Sequence, residues 1–92
     1  MTLLSEAEVQ ERLAELPGWE LSGKAIEKSF KRGDFVGSVE FVAKLVEPAE
    51  EMNHHPDLAI SWDTVTVTLS THSEGGLTAN DFELAAKIDA LA

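Results

Sequence analysis

The stretch Asp57-Leu58-Ala59-Ile60-Ser61-Trp62-Asp63-Thr64-Val65-Thr66-Val67-Thr68-Leu69-Ser70 decides the fold class. Leu58, Ile60 and Trp62 alternate with polar or small residues, and Thr64 to Ser70 alternates without a fault. Both halves therefore carry the period of two that sends successive side chains to opposite faces of a sheet. The pattern predicts a hairpin turning near Asp63-Thr64, one of whose faces is rich in threonine. An antiparallel sheet of this kind needs cover on its apolar side only.

Upstream of the hairpin, Asp34 follows Gly33 and can cap a long helix. Its apolar positions Phe35, Val39, Val42, Leu45, Val46, Ala49 and Met52 recur at helical spacing. Pro48 is expected to kink its last turns or end it early. Further upstream, Trp19 to Leu21 and Ala25 to Lys31 flank Ser22-Gly23 and read as a first hairpin, with Ile26 and Phe30 on one face and Trp19 in the core. Pro17-Gly18 closes a first helix that opens at Ser5-Glu6-Ala7-Glu8, a capping-box spacing, and buries Val9, Leu13 and Leu16. Downstream, Gly75-Gly76 makes a flexible join, and Thr78-Ala79-Asn80-Asp81 caps a last helix burying Phe82, Ala85, Ile88 and Leu91. The expected order is αββαββα: an α+β domain over residues 1–92, with a four-stranded antiparallel sheet covered by three helices on one face. The threonine face is left to solvent or a partner.

Composition narrows the function. Ninety-two residues fit one small core. Seventeen acids against seven bases give a formal charge of -10, which repels phosphate backbones and anionic membranes and argues against direct nucleic-acid binding. No cysteine is present, which removes disulfides, thiolate nucleophiles and cysteine-ligated zinc and fits a reducing compartment. The N-terminus has no basic flank or apolar run suited to a signal peptide, and no segment approaches the ~20 apolar residues of a membrane span. A cytoplasmic protein with no membrane association is expected.

The three histidines carry the chemistry. His54-His55 precede Pro56, and His72 follows the last strand; imidazole is the side chain whose ordinary pKa lies nearest neutrality. Glu50 lies four residues before His54 and Glu51 four before His55, so a persisting helix would set a carboxylate beside each ring. Pro56 disfavours helix at His55 and allows the two rings to take different tasks around one pocket. His72, entering a glycine-containing loop, can project from the opposite side. The plainer reading is an ordinary His-Pro helix stop on a solvated surface. A three-histidine zinc site with an open position is the competing one, but the adjacent pair lacks the spacing that puts two ligands on one helical face. Asp81, third after Thr78, can be the acidic half of a helix cap. Trp62 suits a core or pocket wall, and Ser70 and Thr71 can donate to a ligand or to water.

The run Glu50-x-x-x-His54-His55-Pro56, then Trp62, His72 and Asp81 at intervals of five, nine and eight residues, resembles the signature of the pterin-4a-carbinolamine dehydratases. Residues 68 to 72 and 76 to 82 look like that family too, and the resemblance spans nearly the whole chain. It implies dehydration of 4a-hydroxytetrahydropterin to quinonoid dihydropterin in tetrahydrobiopterin recycling, with no metal and no bound cofactor. It also implies His54 and His72 as the acid/base pair, His55 binding and orienting the pterin, Glu50 tuning the neighbouring imidazole, and Asp81 supporting His72 or capping the last helix. Homodimers or homotetramers joined sheet edge to sheet edge are implied as well. The alternative is an adaptor or transcriptional coactivator module that works through a protein partner with a dispensable pocket.

Overall fold

The computed structural model describes residues 2–92. Its helices are α1 (Glu6–Ala14), α2 (Phe35–Met52) and α3 (Ala79–Leu91). Its strands are β1 (Glu20–Ser22), β2 (Ala25–Lys31), β3 (Asp57–Ser61) and β4 (Thr64–Leu69), with a short 3₁₀ turn at His72–Glu74. The sheet order is β1-β2-β4-β3 and every pairing is antiparallel. The expected αββαββα order is therefore the observed one.

Strand alternation orients the sheet. Val65, Val67 and Leu69 of β4 and Ile26 and Phe30 of β2 are buried on the helix side. On the other face Ser29 meets Thr66, and Thr68 donates to Glu27. The core continues through Trp19, Phe30 and Phe41: Trp19 and Phe30 meet T-shaped at 6.1 Å between centroids, and Phe30 and Phe41 lie tilted at 4.9 Å. The second hairpin turns at Trp62-Asp63, one residue earlier than the alternation predicts, because Ser61 pairs with Thr64.

Pro48 does not end α2 early: the helix runs through it to Met52. A missing amide there costs about 3 kcal/mol in an isolated helix, but Leu45 and Ala49 on either side are anchored in the core and α2 packs along α3. The buried stripe is Ser38, Phe41, Leu45 and Ala49, while Phe35, Val39 and Val46 are about half exposed. Leu45 and Ala49 of the expected set are thus buried, with Val42 and Met52 packed against the core, and Phe35, Val39 and Val46 lie on a second apolar face. In α1, Val9 is buried and Leu13 only partly; Leu16 lies beyond the helix end and is also partly buried.

The C-terminal end of α3 is tied to the sheet by one carboxylate. Asp89 accepts from Lys28 Nζ at 2.9 Å and from Trp19 Nε1 at 3.1 Å, and Lys28 also donates to the Pro17 carbonyl. Gly18 makes this possible: it takes φ +92°, and a Cβ there would sit 2.9 Å from Lys28 Cε. Asp89→Ala is expected to lower stability by about 1–3 kcal/mol, since it strands two half-buried donors. A urea midpoint unchanged from wild type would show that water replaces the carboxylate.

Candidate functional site

The site is built by the way α2 ends. Asn53 takes the left-handed conformation (φ 48°, ψ 45°), its N–H reaches Glu50 O, and the His54 N–H reaches back to Ala49 O at 3.0 Å. This is the double closure of a Schellman turn, with asparagine in the place glycine usually fills. The chain therefore leaves the helix at Asn53, not at Pro56, and His54 is carried inward.

His54 is buried, and its Nε2 lies 2.6 Å from Asp81 Oδ1. Asp81 is fully buried in the first turn of α3, where the helix dipole favours a negative charge. Its second oxygen accepts from Thr71 Oγ1 and from the Thr78 N–H, each at 2.9 Å. Thr78 Oγ1 lies 2.8 Å from Thr71 Oγ1, so its hydroxyl can complete the set by donating to Thr71. An ionised carboxylate is an acceptor only, so His54 Nε2 carries the hydrogen and Nδ1 is the atom left for other work. Asp81 thus holds His54, not His72, while also closing the start of α3.

The early helix end changes the other partnerships. Glu50 meets His55, Oε2 to Nε2 at 2.5 Å, instead of His54. This pair lies at the surface, where such contacts add little stability but fix a ring's orientation. Glu51 holds neither histidine. His72 is mostly exposed in the 3₁₀ turn, with Asp57 Oδ2 3.8 Å from its Nε2.

Because Asp57 pairs with Thr68 near the end of β4, the sheet brings His54, His55 and His72 to one end of the molecule with Glu50, Thr71 and Asp81. His55 lines an apolar hollow of about 190 Å³ between α2 and β3, with Glu50, Pro56 and Leu58. His72 and Ser70 line another of about 290 Å³ with Lys24. Thr71 faces inward to Asp81 and is not available as a surface donor. Trp62 lies at the opposite end of the β3–β4 hairpin, roughly 15 Å along the strand, and 68% of it is exposed. It is neither core nor part of the histidine cluster within one chain. Among the described residues, no group of three histidine, aspartate or glutamate side chains is arranged to hold a metal ion.

The sequence reading missed Asn53 and Asp57 and took Thr78 only as a helix cap. Asparagine directly after a periodic helical run is a recognisable stop, so Asn53 could have been found. Thr78 was legible as a cap but not as a hydrogen-bond partner of Thr71, and nothing local marks Asp57.

Residues 2–91 match the family model described as pterin 4 alpha carbinolamine dehydratase. The chain belongs to the pterin-4a-carbinolamine dehydratase family. A provisionally named pterin-4-alpha-carbinolamine dehydratase of Thermosynechococcus vestitus is 52% identical over 89 residues, covering 97% of this chain and 94% of the relative. Another so named, from Sulfolobus acidocaldarius, is 50% identical over 86 residues and 94% of each chain. The crystal structure of a transcriptional coactivator/pterin dehydratase from Brucella melitensis superposes with a TM-score of 0.93, at 41% identity over 99% of both chains. A pterin dehydratase-like RuBisCO assembly factor of the alpha-carboxysome is more distant, with a TM-score of 0.69 and 28% identity over 82% of this chain and 89% of its own. The pterin dehydratase fold thus spans relatives described by different roles, and the residues of each chain must decide among them. No helix among the described residues is long and apolar enough to cross a membrane.

Proposed function

We propose that this chain dehydrates 4a-hydroxytetrahydropterin to quinonoid dihydropterin and water, as a step in tetrahydropterin recycling. The buried His54–Asp81 pair carries the reading. A carboxylate with no exposure, devoted to one imidazole and two threonines, is costly to bury and is what a positioned acid/base group requires. In the reaction the C4a–O bond breaks and the oxygen leaves with the electron pair, taking a proton to become water. A ring nitrogen supplies the pair for the new C=N bond and loses its proton. Two imidazoles in opposite protonation states serve the two ends.

His54, oriented by Asp81, and His72 are the proposed acid/base pair. His55, held by Glu50, binds and orients the pterin, and Ser70 lies where it can donate to the ligand. The mechanism calls on no metal and no cofactor, and the pterin is the substrate. Freshly generated 4a-hydroxytetrahydropterin, followed by ultraviolet absorbance with chelator present, tests the reading. Wild type should far outrun the uncatalysed reaction, and His72→Ala should lower the rate by about 10²-fold or more. A folded wild-type protein that only matches the background would overturn it.

The exposed apolar residues of α2 favour a second reading, an adaptor that binds a protein partner. Partner binding that survives replacement of all three histidines would identify that role.

A further inference from the structure

A cavity of about 600 Å³ lies between the N-terminal segment, α1 and the β1–β2 turn. Leu3, Leu4, Val9, Leu21 and Leu77 form its apolar walls. One wall is fixed in place, because the Leu4 N–H donates to the Leu77 carbonyl at 2.9 Å. Leu3 and Leu21 are each 48% exposed, so apolar surface stays open to water around it. The volume falls in the range, roughly 300–1,000 Å³, that encloses a drug-sized ligand.

This cavity joins the candidate site. It shares Lys24, Gly75 and Gly76 with the hollow of about 290 Å³ that holds His72 and Ser70. Two of those three shared residues have no side chain. Gly76 is buried, and a Cβ there would stand 3.1 Å from Leu3 Cδ2; Gly75 takes φ +72°. A ligand seated at His72 therefore has a path over bare backbone into the larger space.

Lys24 selects what takes that path. In a chain of charge -10 it is, among the described residues, the one lysine or arginine lining either hollow. Lys28 and Lys87 are taken by Asp89 and Glu83, whereas Lys24 holds no carboxylate among the described residues. Glu6 supplies the carboxylate of the lining from the α1 wall, so a ligand's anionic group belongs at Lys24.

We propose that the cavity is the second half of one site: it takes an extended apolar arm carried at C6 of the reduced pterin, and Lys24 holds an anionic group on that arm. The pterin as the ring at His72 rests on the function proposed above. Reaction at C4a uses nothing at C6, so the arm contributes binding and the choice among pterins, not chemistry.

Two ligands with the same ring test this. 7,8-Dihydrofolate carries at C6 an aryl arm ending in carboxylates, and 6-methyl-7,8-dihydropterin carries a methyl group. In calorimetric titrations wild type should bind dihydrofolate about tenfold or more tightly. Lys24→Ala should cut that preference about two- to fivefold and remove its salt dependence, while Lys24→Arg keeps both. Leu21→Trp, which fills the cavity from a half-exposed position, should bring the two dissociation constants within about threefold of each other. Equal affinity of wild type for the two ligands, or a preference that survives both Lys24→Ala and Leu21→Trp, would overturn the proposal.

The arm without the ring, p-aminobenzoylglutamate, separates this from failure of the dehydratase reading. It should bind wild type weakly, at about millimolar concentration, and lose that binding in Leu21→Trp. Such binding in a protein that takes neither dihydropterin would keep the cavity as an aryl-carboxylate site and reject the pterin. Both dihydropterins bound alike, with no binding of the arm, would leave the dehydratase reading standing and reject the subsite.

Discussion

Asp81→Ala is expected to remove about 3–5 kcal/mol of folding stability, a large share of the ~5–15 kcal/mol that holds a domain together. The carboxylate has no exposure and accepts from His54 Nε2, Thr71 Oγ1 and the Thr78 N–H. Alanine leaves the His54 ring and the Thr78 N–H buried without their acceptor, leaves Thr71 only the Thr78 hydroxyl, and also removes the group that closes the first turn of α3. Asp81→Asn keeps the shape but turns one acceptor into a donor, which either meets the Thr71 and Thr78 donors or, turned to His54, drives the ring hydrogen from Nε2 to Nδ1. Its loss should be smaller than that of alanine but still measurable. Urea unfolding followed by circular dichroism gives both values. A cost below about 1 kcal/mol for alanine would mean that water enters and replaces the carboxylate.

The second large effect is kinetic. His54→Ala should lower kcat for 4a-hydroxytetrahydropterin by about 10²–10⁴-fold, the usual worth of a positioned acid/base group. Asp81→Asn should approach that loss although the residue touches no substrate, because it sets which ring nitrogen of His54 carries the hydrogen. Combining the two should cost little more than His54→Ala alone, since Asp81 acts through a ring that is no longer there. Rates should be compared at a temperature where each variant is folded. A double variant whose loss is the product of the single losses would give Asp81 an independent part in the reaction.

Much of the architecture was legible because strand period and capping residues are local signals. Thr64 to Leu69, Ser5 with Glu8, and Thr78 with Asp81 each needed only their neighbours. The stripe of α2 was not legible in this way. Phe35, Val39 and Val46 fit a helical period as well as Phe41 and Leu45 do, and only the packing against the sheet and α3 separates the two faces. At the site, the residue types were readable and the partnerships were not. Spacing of four favoured Glu50 with His54, but one left-handed residue at Asn53 turned His54 toward Asp81, 27 residues later, and gave Glu50 to His55. Long-range pairing of this kind depends on where a helix ends and cannot be read from interval alone.

The brevity of β1 has a bearing on how large an assembly can grow. Its three residues form the opposite border of the sheet from β3, and a border that short offers few backbone groups to an incoming strand. Joining two chains across β3 uses the same patch on both, so the contact is consumed in making it. In such a pair both remaining borders would be β1, so further sheet growth would have only that three-residue border to extend from.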